Sequence, residues 1–492
     1  MKKITLALAS LLAASAASAQ AQTSGDSMAG MDHGDHAKSD QATKAPPASD
    51  HGDHGSSGKD DGIAGTDHKG MDHDGMTMPG MDHSKMTHDM QGMDMSGMGH
   101  GKTDMSDMDH SAATPAAFGE GTGTARLPGE EAGMHGLHIP AGDWMLMAHG
   151  YVTASYTDHK GPRGDNLFYS TSMLMLTGER TTDWGRVQLR SMLSLEPTMS
   201  ARGYPNLFAT GETAGGQPLV DRQHPHDLFM ELAARFDFNI GEKASWFVYG
   251  GPVGEPALGP SAFMHRGSAK NNSEPPITHH WFDSTHITYG VVTTGIATPH
   301  WQIEASAFRG QEPDENRWDI ETPKLDSWSV RLSWNPTPNW SAQLSYGFLK
   351  APESTHPGEN EKRTTASVHY AAGGLSAMAA FSAKDRSPGQ TLAAWMVEAN
   401  YDLSKHHSLF GRFENVDNDE LVPDHNDPLH DIAFRVSKAQ AGYAWHTGLG
   451  NGPFALTLGG SANLYGKPVA LDRIYGRNPW GYTLFARLSL GR

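Results

Sequence analysis

Residues 144–195 read WMLMAHGYVTASYTDHKGPRGDNLFYSTSMLMLTGERTTDWGRVQLRSMLSL. Three segments of alternating apolar and polar side chains are separated first by a long polar stretch, 157–166, and then by a short one, 181–183. A period of two marks β-strands, whose successive side chains point to opposite faces. In the first segment Leu146, Ala148, Val152 and Ala154 form one row, with Met145, Met147, His149 and Thr153 opposite. In the second, Leu174 and Leu176 oppose Met173 and Met175. In the third, Val187, Leu189, Leu193 and Leu195 oppose Arg190, Met192 and Glu196. One wholly apolar face and one mixed face suit a strand with lipid on one side and a polar lumen on the other.

The same pattern continues to the C-terminus. Strands are expected to begin near Trp144, Leu167, Arg186, His226, Ala244, His286, Trp301, Trp328, Trp340, Arg363, Leu375, Leu392, His407, Phe434, Phe454 and Gly481. That makes sixteen, the even number that closure by antiparallel neighbours requires in a bacterial single-chain barrel. The connections alternate in length: 181–183, 241–243, 298–300, 335–339 and 373–374 are short, whereas 157–166, 197–225, 250–285, 310–327 and 418–433 are long. Short periplasmic turns and long external loops produce this alternation, and a soluble β-sandwich does not need it. Trp184, Trp246, Trp301 and Trp340 stand at the short-turn ends, as an aromatic belt at the membrane interface would. The chain ends LFARLSLGR, without the terminal aromatic residue common in such barrels. Leu484, Ala486, Leu488 and Leu490 still form an apolar row, with Arg487 and Ser489 opposite. The expected fold is all-β: a transmembrane antiparallel barrel of about sixteen strands over residues 144–492, in the outer membrane of a Gram-negative bacterium.

Upstream the chain changes character. Residues 1–21, MKKITLALASLLAASAASAQA, place two lysines before a short apolar run and small-residue cleavage sites at Ala19 or Ala21, the pattern of an export signal. Residues 22–112 are almost free of large apolar side chains other than methionine, so they are expected to be disordered. Residues 113–143 form a Gly/Pro-rich joint. Of the 492 residues none is cysteine, which excludes disulfides, thiolate metal sites and cysteine nucleophiles. A net charge of −18 opposes a nucleic-acid partner, which would need a basic face.

The tail holds 13 of the 25 methionines and 10 of the 28 histidines. The triplet Met-Asp-His occurs at 31–33, 71–73, 81–83 and 108–110. Candidate ligands here are Met31, His33, Met71, His73, Met76, Met78, Met81, His83, Met86, His88, Met90, Met93, Met95, Met98, His100, Met108 and His110. Thioether sulfur is soft and neutral and suits Cu(I) or Ag(I), imidazole adds affinity for Cu(II), and aspartates concentrate cations. Copper ions, with silver as the softer analogue, are the expected ligands, and no organic cofactor is expected. A low-complexity linker without metal-binding role is the competing reading.

The repeats GMDHDGM, GMDHSKM and MDMSGMGH resemble the methionine/histidine-rich segments of outer-membrane copper resistance proteins of the copper resistance protein B family. The resemblance covers about residues 28–110. It implies an outer-membrane protein of copper tolerance, with metal ions, membrane lipid and periplasmic copper proteins as partners; the tail is expected in the periplasm, because the chain enters the barrel from that side.

In the barrel the lumen-facing Met145, Met147, His149, Met173, Met175 and Met192 are candidates for a soft-metal route, or pack beneath an inserted loop. Met378 and Met396 also turn inward, and of the strand methionines only Met230 is expected to face lipid. Hairpin register is expected to set Met147 beside Met175, and Met173 beside Met192. A second group, His224 and His226 with Asp227, and His279, His280 and His286 with Asp283, opens strands four and six on one rim. It reads as a metal site or as a hydrogen-bonded loop folded into the barrel mouth. No nucleophile elbow, P-loop or dinucleotide fingerprint is present, so no catalytic residue and no enzyme are expected. The expected function is copper or silver tolerance, with metal captured by the tail and passed through a methionine-lined lumen. The alternatives are a general or solute-specific porin, and an anchored periplasmic copper buffer.

Overall fold

Sixteen antiparallel strands close on themselves in the computed structural model, which describes residues 116–132 and 136–491. The signal segment and the tail ligands lie outside the described residues. The strands are β1 (Trp144–Lys160), β2 (Asn166–Thr182), β3 (Gly185–Leu193), β4 (Phe229–Ile240), β5 (Ala244–Gly254), β6 (Thr288–Ala297), β7 (Trp301–Phe308) and β8 (Ser327–Trp334). They continue as β9 (Trp340–Leu349), β10 (Asn360–Ala372), β11 (Leu375–Ser387), β12 (Thr391–Ser404), β13 (His407–Asn418), β14 (Phe434–Gly448), β15 (Phe454–Gly466) and β16 (Trp480–Leu490). Each begins within three residues of its expected start. Each pairs with its chain neighbours, and β16 closes on β1 from Trp480↔Lys160 to Leu490↔Gly150. Below that seam β1 continues, and the five-residue strand Leu137–Ala141 pairs with it there, Leu137 opposite Ala148.

The exterior follows from the alternation. Leu189, Val292, Ile303, Leu344, Val397, Phe413 and Leu484 stand exposed on the outer face. Trp184, Trp246, Trp301 and Trp340 ring the short-turn rim as expected, and Trp184 and Trp246 both stack on Phe238, with ring centroids 5.2 and 4.9 Å away. A closed ladder satisfies every backbone pair without a free edge, so this apolar surface can sit in lipid. The protein is an outer-membrane β-barrel, and among the described residues no helix is long and apolar enough to cross a membrane.

The interior is filled. Residues 116–132 enter from the short-turn side and dock on the wall. Gln302 Nε2 donates to the Thr124 carbonyl at 2.8 Å, and Arg126 Nε donates to Gln302 Oε1 at 3.1 Å. The β5–β6 connection folds inward as well. Its Arg266 is wholly buried and forms ion pairs of 2.7 Å with Glu398 on β12 and 3.0 Å with Asp283. The β3–β4 connection also turns in, and its Leu207 and Phe208 pack with Trp281 and Phe282 against Met378, Met396, Val416 and Val436 of the wall. Met378 and Met396 therefore lie inward as expected, in an ordinary apolar core.

Candidate functional site

Two donor-rich clusters occupy the filled lumen. The first lies where β1, β2, β3 and β4 meet the inserted loop. Met173, Met175, Met192 and Met230 are all buried, together with Val253, Ile287 and Tyr289, and Met264 packs on them. On β2, Met175 faces His149 of β1 on one side and Met192 of β3 on the other. This corrects the expected register: Met147 faces Thr177 and not Met175, and Met192 faces Met175 and not Met173. The parity holds, so the lumen-facing row is right, but both hairpins turn one residue later than the expected register requires, which slides each pairing by two residues. Met230 corrects a second expectation. Strand β4 is bulged between Phe229 and Glu231, setting three residues opposite Leu193 and Met192, and the additional residue, Met230, turns into the cluster instead of facing lipid. Met145 lies at the open rim, 45% exposed, apart from the cluster.

Histidine completes this group. His265 Nε2 lies 3.3 Å from Met192 Sδ, and its ring meets that of His149 edge-on with centroids 5.6 Å apart. Burial, with His149 and Arg190 nearby, holds His265 down at about 3, so the ring is neutral and its lone pair is available. His149 Nδ1 is sealed from solvent without a hydrogen bond. A pocket of about 410 Å³ reaches this point from the short-turn rim, lined by His149, Met264 and His265 inside and by Glu130, Glu131, Gly373 and Gly374 at its mouth.

The second cluster lies toward the long-loop side. His224, His226, His279, His280 and His286 are at most 8% exposed, so they are enclosed in the barrel and are not an open rim. The reason is that β4 and β6 start at Phe229 and Thr288, leaving these histidines in inward-folded loops. Their rings stack edge to edge, with His279–His286 centroids 5.1 Å apart and His226–His286 5.4 Å apart. A one-turn helix, His279–Phe282, sets His279 and Asp283 four residues apart on one face, with Nδ1 2.8 Å from Oδ1. His226 Nδ1 is 2.9 Å from Glu196 Oε2, and His286 Nδ1 is 2.7 Å from the Asp283 carbonyl. Gly211 has a φ of +106°, and a Cβ there would meet the His280 ring at 2.6 Å, so only glycine allows the ring its position.

Charge divides these rings. Burial, with Arg317 and the other histidines, holds His224 well below its ordinary value, and burial beside His279 does the same to His286. Burial also lowers His280, but the adjacent Glu312 carboxylate, with Glu212 and Glu353, outweighs it and raises that ring to about 9. Sequence reasoning placed Glu196 inward without tying it to the histidines, and it missed Glu212, Glu312, Glu353, His356 and Glu420, which join these clusters from four loops.

No family model and no curated protein matches the sequence. Among solved structures the chain is similar to OmpF of Salmonella typhi in complex with daunomycin, at 9% identity and a TM-score of 0.46, covering 72% of this chain and 100% of that one. It is also similar to OprB of Pseudomonas putida, at 11% identity and 0.44 over 71% and 94%, and to an anion-selective porin from Comamonas acidovorans, at 12% and 0.42 over 70% and 100%.

Proposed function

We propose that this protein handles a soft metal ion, copper as Cu(I) or its analogue silver, at the outer membrane. The Met/His-rich tail captures the ion in the periplasm, and the methionine–histidine cluster of the lumen receives it. The observation that carries the reading is the 3.3 Å approach of His265 Nε2 to Met192 Sδ within a group that also holds Met173, Met175 and Met230. Thioether and neutral imidazole together are the donor set of a soft monovalent ion. The pocket leading to them opens among the short turns, which face the periplasm in barrels of this kind. Periplasmic copper proteins are the partners that would exchange metal with the tail. The protein binds and passes its cargo and performs no covalent chemistry.

The filled lumen weighs against a general diffusion pore. A tail acting purely as a buffer would leave the lumen cluster without a role. Replacing Met173, Met175, Met192 and Met230 together by leucine keeps volume and apolarity while removing the four wall thioethers of the cluster. The expected result is normal insertion with lost copper tolerance while the tail is intact. Wild-type tolerance in a variant inserted at normal abundance would reject the lumen's part and leave the tail as the only metal-handling segment.

A further inference from the structure

The long-loop side of the lumen contains a donor set of a different hardness, built from residues that the methionine reading does not use. Glu212, His224 and His280 each offer one ligand atom, and the three atoms lie within 4.8 Å of one another. All three side chains are buried. His224 is fixed through Nδ1, 3.1 Å from the Pro225 carbonyl, while its Nε2 is sealed from solvent without a hydrogen bond. Both ring nitrogens of His280 are sealed in the same way. Carboxylate oxygens stand at ion-pair distance from two of these nitrogens: Glu212 Oε1 is 3.4 Å from His224 Nε2, and Glu312 Oε2 is 3.3 Å from His280 Nδ1, so a divalent ion at the triad takes the place of the proton that Glu312 favours on His280. Arg317 donates to the other oxygen of Glu212 at 2.9 Å, which fixes that carboxylate and leaves Oε1 toward the imidazoles.

Metal-binding histidines have this form, one nitrogen tied to a carbonyl or carboxylate and the other aimed at the ion. His226 and His286 repeat it, with Nδ1 tied to Glu196 and to the Asp283 carbonyl and a buried Nε2 left unpartnered. An ordinary hydrogen-bonded constriction would pair these atoms, because an unsatisfied buried nitrogen is destabilising. Three rings with the same nitrogen tied and the same nitrogen orphaned point to an occupant.

We propose that Glu212, His224 and His280 bind a borderline divalent cation of the copper(II) or zinc(II) class. Two imidazoles and one carboxylate suit that class, whereas Mg²⁺ and Ca²⁺ require oxygen ligands. The triad contains no thioether, so it does not duplicate the soft cluster. A second group, His280–Glu312–Glu353, shares His280 with the triad, and a third, Glu353–His356–Glu420, continues from Glu353 toward the outer loops, where His356 is partly exposed. Lys384 pairs with Glu353 and neutralises the middle of this line. Carboxylates and cations therefore alternate along this line, and the ion rests at the inner triad, where Glu212 supplies the carboxylate.

The full chain, purified in detergent, is crystallised with ZnCl₂ and with MgCl₂, and the β3–β4 and β5–β6 loops are followed by amide exchange in each salt. The expected result is a zinc anomalous-scattering peak in bonding contact with His224 and His280, with at least tenfold slower exchange of residues 277–287 in zinc and no change in magnesium. Both effects are lost in His280→Gln and in Glu212→Gln, and the second variant alone decides the matter if the first does not insert. Absence of the peak overturns the assignment, as does zinc protection retained in the inserted variants or an equal effect of magnesium.

Discussion

Replacing Glu274 by glutamine tests what keeps the β5–β6 loop inside the barrel. The Glu274 carboxylate accepts from Lys438 Nζ at 2.7 Å on β14 and from Asn463 Nδ2 at 3.0 Å on β15, and it is also bonded by the Thr483 hydroxyl on β16. One loop side chain thus grips three successive wall strands, and both members of the ion pair are buried. Burial pushes the carboxyl up, but Lys438 and these hydrogen bonds outweigh it and hold it at about 2. Glutamine keeps the shape and removes the charge, leaving Lys438 with the neutral Asn206 Oδ1 at 2.8 Å. Stripping one partner from a buried pair costs about 3–5 kcal/mol. At 1.36 kcal/mol per tenfold, the undocked population rises by roughly two to three and a half orders of magnitude. Amide exchange across residues 255–287 of the full chain at pH 7 measures this rise directly, and planar-bilayer conductance reports whether the lumen opens. The wild type should reach the same state by acidification. A carboxyl whose folded value is depressed stabilises the docked loop fully above its ordinary 4.5, and that contribution is lost as pH falls from there toward 2. Conductance of the wild type should therefore rise as pH drops below about 4.5, and Glu274→Gln should lack that component. Exchange within twofold of wild type at pH 7, together with unchanged conductance, would show that Glu274 is not an anchor.

Two further outcomes are expected. Deleting residues 28–110 should leave insertion and heat-modifiable migration of the barrel unchanged while copper tolerance falls, since a polar tail contributes nothing to the strand ladder; loss of the heat-modifiable species would refute the two-part organisation. Leu484→Arg, on the exposed face near the middle of β16, should cost about 2–4 kcal/mol in vesicle folding titrations, and a cost below about 0.5 kcal/mol would mean that this face does not meet lipid.

The number of strands and their starts were legible because lipid on one side and charge on the other impose a period of two, and because turn lengths alternate. The alternation carries no record of a bulge, so Met230 was assigned to the wrong face. It is also silent on where long loops go. Arg266 looks like any loop arginine until Glu398 and Asp283 close on it, and that pairing joins residues far apart in sequence. The histidines of the second cluster were visible as a group, because His224 with His226 and His279 with His280 are close in sequence. Their carboxylate neighbours were not: Glu212, Glu312, Glu353 and Glu420 come from four separate loops, and a single glutamate in a loop has no spacing to mark it. His265 carries no mark in the sequence, because its meeting with Met192 depends on the loop folding inward.

The seam between β1 and β16 has a consequence for biogenesis. It joins residues 150–160 to residues 480–490, so the first strand to leave the export machinery waits for the last before its outer edge is covered. Such long-range pairing is slow, and a waiting edge is a template for foreign strands. Residues 116–132 precede β1 and end up enclosed, so the wall must curl around them as it zips shut, or they must be drawn in afterwards through a mouth already crowded with side chains. Wrapping the wall round a pre-positioned insert is the simpler route, and it makes the insert a mandrel on which the cylinder takes its curvature.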